Sequence, residues 1–142
     1  MKEIPMNGKR LFFSFFFCIT AVCLIISGCA SVPPGVAEAF DGTWSASVPM
    51  NGSLGHTSYT FNKNTFLLEN VEKATTQKMK GTYSCKDGKI TLAVKEMYDP
   101  QKRRFRSTSI IKLEFISNYS FTSDGSLILD GGMGRMLLKK EG

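Results

Sequence analysis

The chain has very few of the side chains on which catalytic and metal sites depend. It holds one histidine, His56, and four cysteines, of which only Cys85 follows residue 29. No second histidine, paired cysteine or carboxylate cluster accompanies His56 at metal-ligand spacing, and no phosphate loop or dinucleotide fingerprint is present. We therefore expect no catalytic, cofactor-binding or metal-binding residues, and we do not expect an enzyme.

The charge balance argues against a nucleic-acid partner. The chain carries 18 basic and 12 acidic residues, a net charge of +6. Lys2, Lys9, Arg10 and Glu3 precede an apolar run, and without these three bases and one acid the net charge is +4. An excess this mild predicts no domain-wide nucleic-acid footprint.

The first 30 residues have the layout of a secretory signal. The basic residues Lys9 and Arg10 lead into an uncharged apolar run at residues 11–26, and small residues follow. The run is shorter than the roughly 20 apolar residues of a membrane-spanning helix. We expect residues 1–28 to be a signal peptide that is removed, and the alternative is an uncleaved transmembrane anchor. Both interpretations predict an exported domain.

Ile26-Ser27-Gly28-Cys29 resembles the lipobox of bacterial lipoproteins. The resemblance implies cleavage between Gly28 and Cys29, and acyl chains on Cys29 that hold the protein on the membrane. In that family an Asp after the cysteine retains the protein in the inner membrane of enteric bacteria. Here the residue is Ala30, which favours delivery to the outer membrane where the organism has one.

The predicted mature chain divides into a lipidated, flexible tether at residues 29–39 and one domain at residues 40–142. Pro33-Pro34 makes part of the tether stiff, and Gly35 restores backbone flexibility. With Cys85 as its only remaining cysteine, the domain has no internal disulfide and must fold on apolar burial, or use Cys85 between chains.

The domain alternates apolar and polar residues with period two, which is typical of half-buried strands. Asp87-Gly88 predicts a type I′ hairpin turn, because both positions need positive φ. Pairing outward from this turn matches polar with polar and apolar with apolar residues: Lys86 with Lys89, Cys85 with Ile90, Ser84 with Thr91, and Tyr83 with Leu92. This register places Cys85 on the buried face, where a thiol is usually inert.

The remaining chain reads as strands and turns, with a long strand from Phe105 to Ile116 and another from Asn118 to Thr122. Residues Val36 to Phe40 are compatible with a single helical turn. The fold class predicted is all-β, a small antiparallel up-and-down barrel of about eight strands, since closure hides the edges of a meander. A flattened sandwich is the alternative.

Gly42-Thr43-Trp44 is similar to the Gly-X-Trp signature of lipocalins, and "YTFNKNTF" and "GTYSCKDGKITL" resemble the hairpins of short bacterial lipocalin-like lipoproteins. The resemblance implies that Trp44 closes one end of the barrel. It also implies that a basic residue of a late strand packs on the indole ring, for which Arg135 is the candidate.

Two surfaces are candidate sites. The barrel interior is either a ligand pocket or a plain core, formed by Trp44, Tyr59, Phe61, Tyr83, Phe115 and Phe121. The basic loop is either solvated or docks on an envelope protein or an anionic surface, through Lys102, Arg103, Arg104 and Arg106.

These features predict a lipid-anchored, non-enzymatic binding module for a small apolar or amphipathic ligand. The alternative is a structural or interaction lipoprotein with a solid barrel that contacts an envelope protein or a host molecule. A further alternative is an inhibitor of an envelope enzyme through the loop at Met50 to Gly55. A contiguous apolar cavity of about 300 Å³ or more favours ligand binding.

Overall fold

The computed structural model of the protein describes residues 32–33, 35–50 and 52–142. One short helix precedes nine antiparallel strands: α1 (Val36–Phe40), β1 (Gly42–Met50), β2 (Ser53–Asn62), β3 (Thr65–Glu72), β4 (Thr75–Lys86), β5 (Lys89–Asp99), β6 (Arg104–Ser107), β7 (Leu113–Phe121), β8 (Leu127–Gly131) and β9 (Gly134–Lys140). The predicted single helical turn at Val36 to Phe40 is confirmed.

Eight of the strands close into a barrel. Their order is β4-β3-β2-β1-β9-β8-β7-β5, and β5 also pairs with β4 to complete the ring. The remaining strand, β6, pairs with β5 beyond the end of β7. The predicted all-β, antiparallel up-and-down barrel is therefore confirmed, and the sandwich alternative is wrong because the sheet closes on itself.

The β4–β5 hairpin has the predicted register. Its two turn residues both have positive φ, 51° at Asp87 and 72° at Gly88. The strands pair Lys86 with Lys89, Cys85 with Ile90, Ser84 with Thr91, and Tyr83 with Leu92. Local turn chemistry and the apolar pattern selected the same pairing, which is why this hairpin could be predicted.

The predicted long strand from Phe105 to Ile116 is wrong, because residues 108–112 leave the sheet. We call this segment the bulge loop. The Thr108 amide donates to the Lys95 carbonyl (2.9 Å), and the Ile111 amide donates back to the Thr108 carbonyl (2.8 Å). The Thr108 hydroxyl donates to the Val94 carbonyl (3.1 Å). These bonds replace the regular hydrogen bonds of the sheet at residues 108–112. Strand β7 then extends to Phe121 without the predicted break near Ser117.

One end of the barrel, which we call the closed end, is plugged by Phe40. The side chain is fully buried, and its ring centroid lies 5.0–5.8 Å from those of four other aromatic residues: Phe61, Tyr83, Tyr119 and Phe121. The Trp44 indole N–H donates to the Phe40 carbonyl at 2.7 Å. Helix α1 is thereby fixed beneath the strands, and Val32 and Val36 also pack against the core.

The cation over Trp44 is Lys140, not Arg135. The Lys140 Nζ lies 5.3 Å from the centroid of the indole ring, and Trp44 pairs with Lys140 in the β1–β9 register. Arg135 lies five residues away along β9, or roughly 16 Å at strand spacing. The register of β9 places the last residue of this strand at the closed end, which sequence alone did not reveal.

Within the described residues no helix has the length and apolar character needed to cross a membrane. The predicted signal peptide, the Gly28–Cys29 cleavage site and the lipid attachment at Cys29 lie outside the described residues.

Candidate ligand-binding cavity

Strands β1 and β9 close the barrel through a short ladder. Within the described chain their pairing comprises Trp44 with Lys140 and Ser45 with Lys139, while β1 pairs with β2 along its whole length. We call the stretch without this pairing, between residues 46–50 and 134–138, the seam. It lies away from the closed end, toward the open end of the barrel.

Pro49 lies within the unpaired stretch, four residues beyond the last paired residue of β1. The Glu141 amide donates to the Thr43 carbonyl across the β1–β9 boundary at 2.8 Å. Backbone groups alternate between the two neighbours of a strand, so those of Pro49 face β9 as those of Thr43 do. Proline has no N–H to donate and is found at strand edges. The sequence therefore weakens the sheet at this place.

A cavity of about 360 Å³, the seam cavity, lies along this seam. Its lining at the seam is apolar apart from one cation, Arg135, and its opposite wall is polar. The residues at the seam are Val48, Pro49, Met133, Arg135 and Met136, and those of the opposite wall are Thr57, Tyr59 and Asn70. An apolar cavity with a few convergent polar groups is the usual composition of a small-molecule site.

Tyr59 is the distinctive polar residue of this cavity. Its side chain is 0% exposed, and its hydroxyl has no hydrogen-bond partner among the described residues. Burial raises the pKa of the phenol well above its ordinary value, so the hydroxyl keeps its proton at neutral pH. A buried hydroxyl without a partner costs about 1–3 kcal/mol, and with less than 1 Å² of exposed surface the Tyr59 hydroxyl lies behind the wall of the cavity.

The polar wall offers hydrogen-bond donors. Thr57 is buried, and its hydroxyl donates to the Asn70 Oδ1 at 2.9 Å. Because this oxygen already accepts a hydrogen bond, the Asn70 amide retains its N–H groups as donors. Thr57 and Asn70 therefore make this side of the cavity polar.

The predicted pocket aromatics mostly occupy the core of the closed half. Trp44, Tyr59, Phe61 and Tyr83 are buried, Phe115 is half-buried, and Phe121 is more than one third exposed near Phe40. Of these six residues, only Tyr59 lines the seam cavity. Side chains therefore fill one half of the barrel, while the other half contains open space.

A second cavity, the loop cleft, lies beside the bulge loop. Its volume is about 480 Å³, and its lining is mostly apolar, with contributions from Met97, Leu113, Ile110 and Ile111. Ile110 is 97% exposed and Ile111 is 69% exposed. Two adjacent exposed isoleucines beside an apolar cleft are an uncommon surface for a small soluble domain.

All four predicted basic docking residues are exposed, and three of them lie in the β5–β6 turn or at the first residue of β6: Lys102, Arg103 and Arg104. Asp99 organises this turn, because its Oδ1 accepts from the backbone amides of Gln101 (3.1 Å) and Lys102 (3.2 Å). The fourth residue, Arg106, forms an ion pair with Asp99 at 3.4 Å.

The reactive-residue candidates are isolated in the structure. Cys85 is buried, and burial raises the pKa of its thiol to about 11, which disfavours the nucleophilic thiolate. His56 is exposed and lies 4.0 Å from a Glu141 carboxylate oxygen. The described residues contain no group of three metal-binding side chains. The predicted loop at Met50 to Gly55 is mostly strand, since β2 begins at Ser53.

Sequence reasoning did not find the seam cavity as a separate feature. Pro49 within a strand pattern was the available signal, because proline marks an edge strand. Tyr59 carried no such signal, since its alternation with Thr57 and Phe61 is that of an ordinary core residue. Its missing hydrogen bond is visible only in three dimensions.

No protein-family model, curated protein or solved structure that was compared with this chain matches it.

Proposed function

We propose that the protein is an exported bacterial lipoprotein, anchored through acyl chains on Cys29, whose barrel binds a small apolar or amphipathic ligand without catalysing a reaction. The observation that carries the binding function is the seam cavity, which lies where β1 and β9 are unpaired and has apolar residues such as Val48 and Met136 opposite the polar Thr57. Its volume exceeds the roughly 300 Å³ at which small-molecule sites begin. The resemblance to lipoboxes and to lipocalin-like lipoproteins supports the same function.

The lipid anchor would determine which end of the barrel faces the bilayer. Val32 packs against the core just before helix α1, which ends at Phe40 in the closed end, and it follows Cys29 by three residues, which span at most about 11 Å. A lipidated Cys29 therefore holds the closed end near the bilayer. The seam cavity lies toward the opposite end and faces away from the membrane, where it receives a ligand from the aqueous compartment.

Ligand binding is tested by filling the cavity. Met136→Trp introduces a large side chain into the cavity lining, whereas Leu137→Trp adds the same side chain one residue away on the exposed face. The full chain is purified in lipid nanodiscs from the producing bacterium, and co-purifying small molecules are quantified by mass spectrometry. We expect a compound that is present with wild type and Leu137→Trp and depleted with Met136→Trp. Equal recovery from all three proteins contradicts the proposal.

The anchor is tested by metabolic labelling with radioactive palmitate. We expect wild type to incorporate label and to lose its signal peptide. Cys29→Ser should incorporate none and remain uncleaved, since the acylated cysteine is what such signals require in the family that this segment resembles. Label incorporation by Cys29→Ser, or a full-length, unlabelled wild-type product, contradicts the anchor.

A separate observation favours a second function, docking on an anionic lipid surface. The exposed Ile110 and Ile111 stand beside the loop cleft, and the basic turn at residues 99–104 lies in the same part of the barrel. Burial of isoleucine in the headgroup region contributes through the hydrophobic effect, and each nearby cation contributes about 1 kcal/mol against anionic lipid. Because the anchored closed end faces its own bilayer, this surface is presented to a second membrane.

Docking is tested with two vesicle populations. Vesicles that carry the full chain are mixed with fluorescent vesicles that contain either anionic or zwitterionic lipid, and capture is measured. Ile110→Asp with Ile111→Asp should abolish capture of anionic vesicles, whereas Ile116→Asp, an exposed isoleucine on β7, should leave it intact. Capture that is equal for both lipids, or that survives the double substitution, refutes docking.

A further inference from the structure

We propose that the seam cavity takes single-chain amphiphiles with an anionic head group, such as a carboxylate, and that Arg135 selects them. The guanidinium holds the head group at the outer edge of the seam, and the aliphatic tail enters the cavity between β1 and β9. This inference rests on the proposed function, because it names the ligand class of the same cavity and the residue that determines it.

Arg135 is the charged residue of the cavity lining. No Asp or Glu belongs to the lining that the described residues provide, and its other polar side chains are uncharged. Met136 is half-buried and Leu138 is fully buried, so Arg135 begins on the outer face of β9. It nevertheless borders the cavity, which places it at the outer edge. A charge at that position keeps part of its hydration and avoids most of the cost of a buried ion.

Arg135 has no counter-ion in the part of the chain that the structure describes. Asp130 stands opposite to it in the β8–β9 register, yet the two side chains form no ion pair. Glu72, at the end of β3, accepts a hydrogen bond from the Ser53 hydroxyl at 3.4 Å. The guanidinium of Arg135 therefore keeps its N–H donors for a ligand, and their planar arrangement suits a carboxylate.

The apolar part of the lining accommodates an aliphatic tail. Val48 and Pro49 come from β1, while Met133 and Met136 come from β9 and the turn before it. Methionine side chains are flexible and adapt to tails of different shape. At about 360 Å³ the cavity lies near the lower limit for small-molecule sites, so it favours a short tail. Arg135 lies between the two methionines in sequence, which brings the contacts for head and tail together.

Lys139 provides a matched control for Arg135. Both residues are exposed cations, and they lie four residues apart on the same face of β9. Lys139 pairs with Ser45, where the ladder between β1 and β9 is formed, and it does not line the cavity. Arg135→Gln and Lys139→Gln therefore remove the same charge from the domain, and only the first removes it beside the cavity.

The experiment measures how the affinity of the cavity depends on ligand charge. Octanoate, octanamide and octylammonium are compared at pH 7 by equilibrium dialysis against the full chain in nanodiscs of zwitterionic lipid. Octanoate and octanamide have nearly the same size and shape, so the ratio of their affinities reports charge. Empty nanodiscs correct for partition into lipid, and urea unfolding confirms that each variant is folded.

We expect Arg135→Gln to lower the ratio of octanoate affinity to octanamide affinity about fivefold, while the octanamide affinity stays unchanged. A fivefold ratio corresponds to about 1 kcal/mol, the upper value for an exposed charge pair. Arg135→Glu should favour octylammonium over octanoate. Salt at 1 M, which shortens the Debye length to about 3 Å, should reduce the preference of wild type for octanoate. Lys139→Gln should retain the wild-type ratio.

The inference is overturned if Arg135→Gln retains the wild-type ratio, or if Lys139→Gln lowers the ratio by as much, since net charge alone would then account for it. The seam cavity would still bind ligands in either case, so the proposed function would stand. Failure of all three compounds to bind wild type also overturns the inference. The proposed function then fails only if no small molecule co-purifies with wild type that Met136→Trp depletes.

Discussion

Replacement of Phe40 by alanine tests whether α1 is an integral part of the barrel. Phe40 is fully buried and contacts four aromatic rings at the closed end. A phenylalanine buries about 150–250 Å², which at about 25 cal/mol per Å² represents roughly 4–6 kcal/mol as an upper estimate. Measured Phe→Ala substitutions in cores cost about 3–5 kcal/mol. We therefore expect Phe40→Ala to lower the free energy of unfolding by about 4 kcal/mol.

Urea unfolding followed by tryptophan fluorescence measures this loss. Trp44 is the only tryptophan of the chain and is buried at the closed end, so its emission shifts to the red when the barrel opens. With a urea dependence of about 2 kcal/mol per M, the midpoint should fall by about 2 M. Because domains of this kind have about 5–15 kcal/mol of stability in total, part of the population could already be unfolded in water.

Phe105→Ala is the matched control. Phe105 is half-buried on the outside of the barrel, where it contacts Tyr98 (5.4 Å between ring centroids) and lies beneath the Lys80 ammonium group (4.5 Å). Its loss should cost about 1–2 kcal/mol, in keeping with its partial burial and its cation–π contact. If Phe40→Ala costs no more than Phe105→Ala, then α1 does not close the barrel. The argument that the closed end faces the membrane would then fail with it.

Three further predictions concern stability and reactivity. Gly131→Ala should destabilise by about 1–3 kcal/mol, because a Cβ there would lie 2.4 Å from the Ile116 carbonyl oxygen, whereas Gly132→Ala meets no atom within 4 Å and should be nearly neutral in the same urea assay. Burial raises the pKa of Tyr83 to about 12, with smaller contributions from neighbouring charges. The folded state keeps this proton where the unfolded chain loses it, so Tyr83 should lower the free energy of unfolding by about 1.4 kcal/mol per pH unit between pH 10 and 12. Burial also raises the pKa of Tyr59 and of Cys85, so Tyr83→Phe should make the slope shallower by about that amount without abolishing it. The Cys85 thiol should react with a thiol reagent at pH 8 only as fast as the barrel opens, and rapid labelling of native protein would show that it is accessible.

The fold could be predicted where local signals agreed with one another. At Asp87-Gly88 the turn chemistry and the apolar alternation selected one register, and the structure has that register. The alternation of residues 105–116 also predicted a strand, yet Thr108 bonds to the neighbouring strand at Lys95 and Val94 and turns the chain outward. Such side-chain and backbone bonds between strands have no periodic signature in a single sequence.

The site was less predictable than the fold. The resemblance to lipocalins implied that Trp44 closes one end of the barrel and suggested Arg135 as the cation over its ring, whereas the cation in the structure is Lys140. The assignment depended on how far β9 extends past β1, and no turn or charge pattern fixes that stagger. The seam cavity depended on where the β1–β9 ladder ends, and Pro49, four residues beyond the last paired residue of β1, marks a weak edge without fixing that place.

A native mass spectrum of the wild-type full chain, released from nanodiscs prepared without detergent, tests most directly whether the open half of the barrel is a binding site. We predict two species that differ by the mass of one bound small molecule, and we predict that Met136→Trp retains only the lighter species. A single ligand-free species in wild type, with the lipid on Cys29 intact, would contradict a binding function for this barrel.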